Sequence, residues 1–180
     1  MSSAKTRVLL TREEIAQKVK ELADQVFQDY QHKKPVLICV LKGAVIFLSD
    51  FMRHLQLPVE IDFMAVSSYG ATTTTSGVVR ILKDLEMSIE NRDVVIVEDI
   101  IDTGLTLNYL RENLLSRNPR SLKIVTLVDK PERRMVKVEP DYCGFRIPDE
   151  FVVGYGLDFN EQYRNLPDLC ILLEFDSQIC

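Results

Sequence analysis

Apolar residues recur at helical spacing through "TREEIAQKVKELADQVFQDY", where Ile15, Val19, Leu22, Val26 and Phe27 fall on one face. Thr11 followed by Glu14 has the form of a capping box and predicts where that helix starts. The period then changes. "PVLICVL" is apolar on both faces, as a strand buried on both sides of a parallel sheet must be. Lys42-Gly43 predicts a short turn and "AVIFLSDFMRHL" a second helix. "EIDFMAV" predicts a strand, "SSYGATTTTSG" a long polar loop, and "VVRIL" a strand returning from it. "DVVIVED" is another buried strand, followed by the helix "LTLNYLRENLLSR" with Leu107, Leu110 and Leu114 on one face. "SLKIVTLVDK" is the next strand and ends at Pro131. After Pro140 come short strand-like pieces, "YCGFRI", "FVVGYG" and "CILLEF", between polar turns. Strands alternating with helices predict an α/β fold, an open, mostly parallel sheet flanked by helices. The chain ends add a small subdomain.

Length and composition narrow this picture. The 180 residues, 46% hydrophobic and 27% charged, suit a single packed domain spanning 1–180. Its core is expected at about 35–140, with the subdomain from about 1–10 and 141–180. A formal charge of −5 argues against nucleic acid as a partner, because phosphate binding needs an excess of Lys and Arg. No apolar run reaches ~18 residues, so no membrane is spanned, and the apolar segment near the N-terminus is too short for a signal peptide. Cys39, Cys143, Cys170 and Cys180 contain no C-x-x-C pair and read as free thiols of a reducing, cytoplasmic compartment. His32 and His54 are not spaced as metal ligands.

The chemistry concentrates in "VVIVEDIIDTGLT". In open α/β sheets ligands sit outside the carboxyl ends of the strands, which is where Glu98, Asp99 and Asp102 follow "VVIV". Gly104 permits a tight or left-handed turn into the helix. The first helical N–H groups have no partner within the helix and carry partial positive charge, and Thr103 and Thr106 add hydroxyl donors. The turn is therefore a phosphate cradle. It lacks the Lys of the ATPase P-loop, and no G-x-G-x-x-G occurs. Three acids would repel a bare phosphate, so they should face a diol, a metal ion or a developing cation. A ribose phosphate offers both an anion and a diol. The blander alternative is that Asp99 or Asp102 caps the helix.

"VVIVEDIIDTGLT" resembles the 5-phosphoribosyl 1-pyrophosphate (PRPP) signature of type I phosphoribosyltransferases. The form "VEDIIDTG" is similar to that of the hypoxanthine-guanine phosphoribosyltransferases. Other segments follow in the family's order between residues 41 and 167. "LKGA" resembles the pyrophosphate loop, "SSYG…TSG" the mobile catalytic loop, "LVDKPERR" the purine-contacting strand end, and "IPDEFVVGYGLDFNEQYRNLP" the base-binding hood. The resemblance implies the type I phosphoribosyltransferase fold and transfer of phosphoribose from PRPP to N9 of a 6-oxopurine.

It further implies roles for single residues. Asp102, Thr103, Gly104, Leu105 and Thr106 hold the 5′-phosphate. Glu98 and Asp99 meet the ribose hydroxyls and Mg2+, and Asp102 is also the general base near purine N7. Lys42 and Gly43 meet the pyrophosphate, in a loop with a cis peptide between the positions of Leu41 and Lys42, and Arg164 joins them. Lys130 donates to purine O6, Phe151 stacks on the base and Val152 adds backbone contacts. Asp158, beside the base, contacts a second Mg2+. Ser68 and Tyr69 belong to a lid, from Ser67 to Gly77, that keeps water from the reacting sugar. Relatives imply a homodimer or homotetramer.

Two other classes compete. A phosphorelay receiver also pairs acids after a strand with a later Lys-Pro. Here only about 30 residues separate Glu98-Asp99 from Lys130-Pro131, too few for its βα units. An RNA-binding regulator on the same fold is disfavoured by the acidic balance.

Overall fold

The computed structural model describes residues 5–68 and 79–173, without the side chain of Ser68. The main sheet has six strands in the order β4-β3-β2-β5-β6-β7. These are β2 (Val36–Leu41), β3 (Glu60–Ser68), β4 (Val79–Lys83), β5 (Asp93–Ile101), β6 (Ser121–Asp129) and β7 (Tyr142–Arg146). All neighbours are parallel except β4, which returns antiparallel to β3. A second sheet, β1-β9-β8, joins β1 (Thr6–Leu10), β9 (Leu169–Leu172) and β8 (Val152–Val153).

Alternation along the strands explains the layers. Leu37, Cys39, Val95, Val97, Val125 and Leu127 point to one face. There they bury α1 (Arg12–Tyr30) through Ile15, Val19, Leu22 and Val26, and α2 (Val45–His54) through Phe47, Leu48 and Phe51. Val36, Ile38, Val40, Val94, Ile96 and Ile124 point to the other face and receive α3 (Leu105–Leu115) on Leu107, Leu110 and Leu114. Both faces being covered is why β2 and β5 read as unbroken apolar runs.

Helix α1 begins at the predicted capping box: Glu14 N–H donates to Thr11 Oγ1 at 3.2 Å and Thr11 N–H to Glu14 Oε2 at 2.8 Å. Phe27, placed on its apolar face, is only partly buried, and Ala23 and Tyr30 complete that face instead. Strand β3 runs two residues into the segment expected as a loop. One boundary is corrected. Residues 142–146, assigned to the small subdomain, form β7 and pair in parallel with β6 in the main sheet. The edge of β6 offered unpaired backbone groups, and apolar spacing does not say which sheet a short strand completes. Cys39 and Cys170 are buried free thiols and Cys143 is partly buried; burial pushes the Cys39 thiol up to about 12. Cys180 lies outside the described residues.

Candidate active site

The carboxyl ends of β5 and β6 open on two adjoining cavities. The first, about 150 Å³, is lined by Glu98, Ile100, Ile101, Asp102, Thr103, Gly104, Thr106 and Leu107. The second, about 250 Å³, is lined by Asp99, Ile100, Asp102, Lys130, Phe151, Val152, Leu157 and Asp158. Ile100 and Asp102 belong to both.

The first cavity is the predicted cradle. Gly104 is the N-cap of α3, left-handed at φ 81°, and the Thr103 hydroxyl oxygen accepts from Leu105 N–H at 3.5 Å. Neither Asp99 nor Asp102 accepts from these N–H groups among the described residues, and those beyond Leu105 remain for a ligand. A Cβ on Gly104 would lie 2.7 Å from Val138 Cγ1, so the glycine is needed for packing as well as for its φ. The segment after β6 wraps this turn. Met135 N–H donates to Thr103 O at 2.9 Å, and Arg134 Nη1 to Asp102 O at 2.9 Å.

Between the cavities lies the acidic pair. Glu98 is buried and its Oε2 has no partner among the described residues. Asp99 Oδ1 accepts from Ile100 N–H at 2.8 Å. Burial, reinforced by Asp99, raises the Glu98 carboxyl well above its ordinary range. Burial also lifts Asp99 to about 6. An acid whose value is raised on folding binds more protons folded than unfolded. Its contribution is present at low pH and is lost as pH rises, for Asp99 between about 4 and the raised value. Glu98→Gln in metal-free protein is thus expected to melt about 2–6 °C above the parent at pH 8. Calorimetry should show the difference shrinking towards pH 5. An equal difference at both pH values would mean that buried charge is not its source.

Gly43 sits directly over Asp99, so close that a Cβ would come within 1.7 Å of Asp99 Oδ2. Gly156 packs on the other side, where a Cβ would lie 2.1 Å from Gly43 O. The Leu41–Lys42 peptide is cis. Lys42 Nζ donates to Glu161 Oε2 at 2.9 Å. Arg164 reaches the same oxygen at 3.4 Å, Asp158 Oδ1 at 2.8 Å and Gly156 O at 2.8 Å. The two cations assigned to pyrophosphate thus share one carboxylate, Glu161.

The second cavity collects the residues assigned to the base. Lys130 is buried, only 6% exposed, and its Nζ donates to Glu150 O at 2.6 Å. Phe151 is half-exposed and meets Phe159 edge-on at 5.7 Å. Val152 is buried beside it. Leu105 opens α3 and is partly exposed, but it does not line either cavity. Ser68 ends β3. Tyr69 and the rest of the expected lid lie outside the described residues.

Comparison with known proteins shows the family. A family model described as a phosphoribosyl transferase domain matches residues 7–160. The chain belongs to that family. It is 52% identical over 168 residues to a hypoxanthine-guanine phosphoribosyltransferase of Streptococcus thermophilus, covering 93% of each chain. With the Bacillus subtilis protein of the same name it shares 52% over 166 residues, 92% of each. A crystal structure of a Bacillus anthracis hypoxanthine-guanine phosphoribosyltransferase, with HEPES in its active site, superposes with a TM-score of 0.90 at 47% identity. That match covers 95% of this chain and 100% of the other. A Staphylococcus aureus hypoxanthine phosphoribosyltransferase gives 0.90 at 50% identity, covering 96% of each.

Ile100, Gly156 and Glu161 of this phosphoribosyltransferase were not among the residues singled out in the sequence. Ile100 had a signal, since it stands between acids at the end of a strand whose other side chains are buried. Gly156 had one too, as the second glycine of "VGYG". Glu161 meets Lys42 across 119 positions, and nothing local announces that.

Proposed function

We infer that this enzyme of purine salvage transfers the 5-phosphoribosyl group from PRPP to N9 of hypoxanthine or guanine, giving IMP or GMP and pyrophosphate. One observation carries the reading: a cradle for an anion and a pocket for a flat base adjoin, and they share Asp102. The turn Asp102–Thr106, including Leu105 through its backbone, takes the 5′-phosphate. Lys42, Gly43 and Arg164 take the diphosphate, for which Glu161 acts as stand-in. Lys130 donates to O6, Phe151 stacks on the ring and Val152 shapes its wall. Asp102 receives the N7 proton as N9 attacks the anomeric carbon, which passes through an oxocarbenium-like state. Ser68, at the end of β3, and Tyr69 are assigned to the lid by the family resemblance.

Among the described residues, no group of three His, Cys, Asp or Glu is placed to hold a metal on its own. Magnesium does not need one, because it is commonly held by one or two carboxylates plus substrate oxygens and water. The unpartnered Glu98 oxygen and the adjacent Asp99 fit that donor set, with Asp158 towards the diphosphate. Bound there, Mg2+ would neutralise the leaving diphosphate. Excess EDTA is expected to cut turnover at least about tenfold, with recovery on adding Mg2+; full activity in EDTA would exclude the requirement. The same reading places the enzyme in the cytoplasm, where buried thiols such as Cys39 and Cys170 stay reduced. It takes the enzyme to be a homodimer or homotetramer, as the family resemblance implies. Steady-state assays with PRPP and hypoxanthine, guanine, xanthine and adenine in turn test the function. No turnover of any 6-oxopurine would overturn it.

A further inference from the structure

The two arginines after Lys130 have no part in the roles above, yet both act on Asp102. Arg134 holds its carbonyl at 2.9 Å and is itself tied to Asp129 by an ion pair. Arg133 holds its carboxylate: Nε donates to Oδ1 at 2.6 Å. Arg133 Nη1 also lies 3.4 Å from both carboxylate oxygens of Asp149, two residues before Phe151. Oδ2 of Asp102 has no hydrogen-bond partner among the described residues.

We propose that Arg133 is a positioning residue for the transfer reaction, pinning Asp102 through Oδ1 so that Oδ2 is the oxygen left to receive the purine proton. The proposal rests on Asp102 being the base. A half-exposed aspartate can turn about its side-chain bonds, and a charge-assisted hydrogen bond of this length selects one orientation. A guanidinium carries donors only and cannot accept a proton, so Oδ1 stays committed to it.

The placement of Arg133 adds a second argument. It ends a 3₁₀ turn, Pro131–Arg133, that starts directly after Lys130. Arg133 N–H donates to Lys130 O at 3.2 Å, and Lys130 N–H donates to Ile101 O at 2.9 Å. The residue assigned to O6 and the residue that orients the base thus ride on one short turn. O6 and N7 are neighbours on a 6-oxopurine, so their two partners must keep a set separation. In the step itself, the N9 lone pair forms the bond to the anomeric carbon. The pair of the broken carbon–oxygen bond leaves with diphosphate. The N7 proton passes to Oδ2, and its bonding pair returns to the ring.

The test compares Arg133→Met, Arg133→Lys, Asp102→Asn and the double variant Asp102→Asn/Arg133→Met, with melting curves to establish folding. Arg133→Met is expected to lower kcat about tenfold while the KM for PRPP stays within about threefold, and Arg133→Lys to recover part of the loss. On the Asp102→Asn background, Arg133→Met should cost less than about twofold more, because both changes act on one group. A merely structural arginine would give multiplying losses. A kcat within twofold of the parent in Arg133→Met, or a full further loss in the double variant, overturns the proposal while leaving Asp102 as base. Full activity of Asp102→Asn alone overturns the base assignment, and the positioning role with it.

Discussion

Asp102→Asn is expected to lower kcat by about 10²-fold or more while leaving PRPP binding within roughly tenfold. The two halves of that result come from different atoms. In the proposed function the phosphate is met by backbone N–H groups at the start of α3, and the turn is shaped by Gly104 at φ 81° and by Arg134 on the Asp102 carbonyl. None of these depends on the carboxylate. Asparagine keeps the side-chain shape and still offers a carbonyl oxygen to Arg133, so the turn has no reason to move. It cannot take up a proton at neutral pH, and that is the loss kcat reports. Steady-state kinetics and calorimetric titration of PRPP separate the two quantities. Unchanged turnover would remove Asp102 from the catalytic role.

Adenine is expected to be at least about 10²-fold poorer than hypoxanthine in kcat/KM, because of Lys130. Its ammonium is buried and held by the Glu150 carbonyl at 2.6 Å, so it stays in place rather than swinging to solvent. One donor is used there and two remain. A lysine ammonium only donates. Hypoxanthine and guanine present an acceptor at position 6, whereas adenine presents an amino group and leaves a buried charge facing a donor. An unsatisfied buried polar group costs about 1–3 kcal/mol, more when charged, and sites built on such a contact discriminate by up to ~10⁴ or more. Lys130→Ala and Lys130→Gln should narrow the gap, mostly by damaging the 6-oxopurines. The comparison uses saturating PRPP with adenine, hypoxanthine and guanine. Equal use of adenine by the parent, or an undiminished preference in both variants, would show that position 6 is read elsewhere.

The parts of this site that were legible in the sequence are those where chemistry is local. Strand, acids, glycine and helix start lie within "VVIVEDIIDTGLT", and the left-handed Gly104 before α3 is a feature that segment carries by itself. Unbroken apolar runs placed β2 and β5 because both faces are buried, which is a property each strand carries by itself. The pairing of β7 with β6 was not legible, since it depends on which edge is open once the other strands have assembled. The burial of Lys130 was hidden for a similar reason. A lysine at a strand exit is ordinarily solvated, and the hood residue that holds its ammonium is 20 positions away. Nothing near Arg133 or Glu161 in the sequence announces the carboxylate or ammonium each one meets. Their partners are set by the packing of loops, to which hydrophobic periodicity is blind.

The order β1-β9-β8 has a consequence for how the chain is made. The middle strand of that small sheet, Leu169–Leu172, is the last of the described strands to leave a ribosome. All six strands of the main sheet are already present once Arg146 has emerged, and with them the cradle at Gly104. Val152 and Val153 must wait for Ile171 and Cys170 to pair with, and Phe151 for the Leu172 N–H that its carbonyl accepts. The residues around the turn at Gly104 are therefore made before those that complete the pocket beside Lys130, although Val152, Tyr155, Leu157, Leu169 and Ile171 also belong to the core under the main sheet. A chain interrupted between those two moments would lack part of the core beneath its own main sheet.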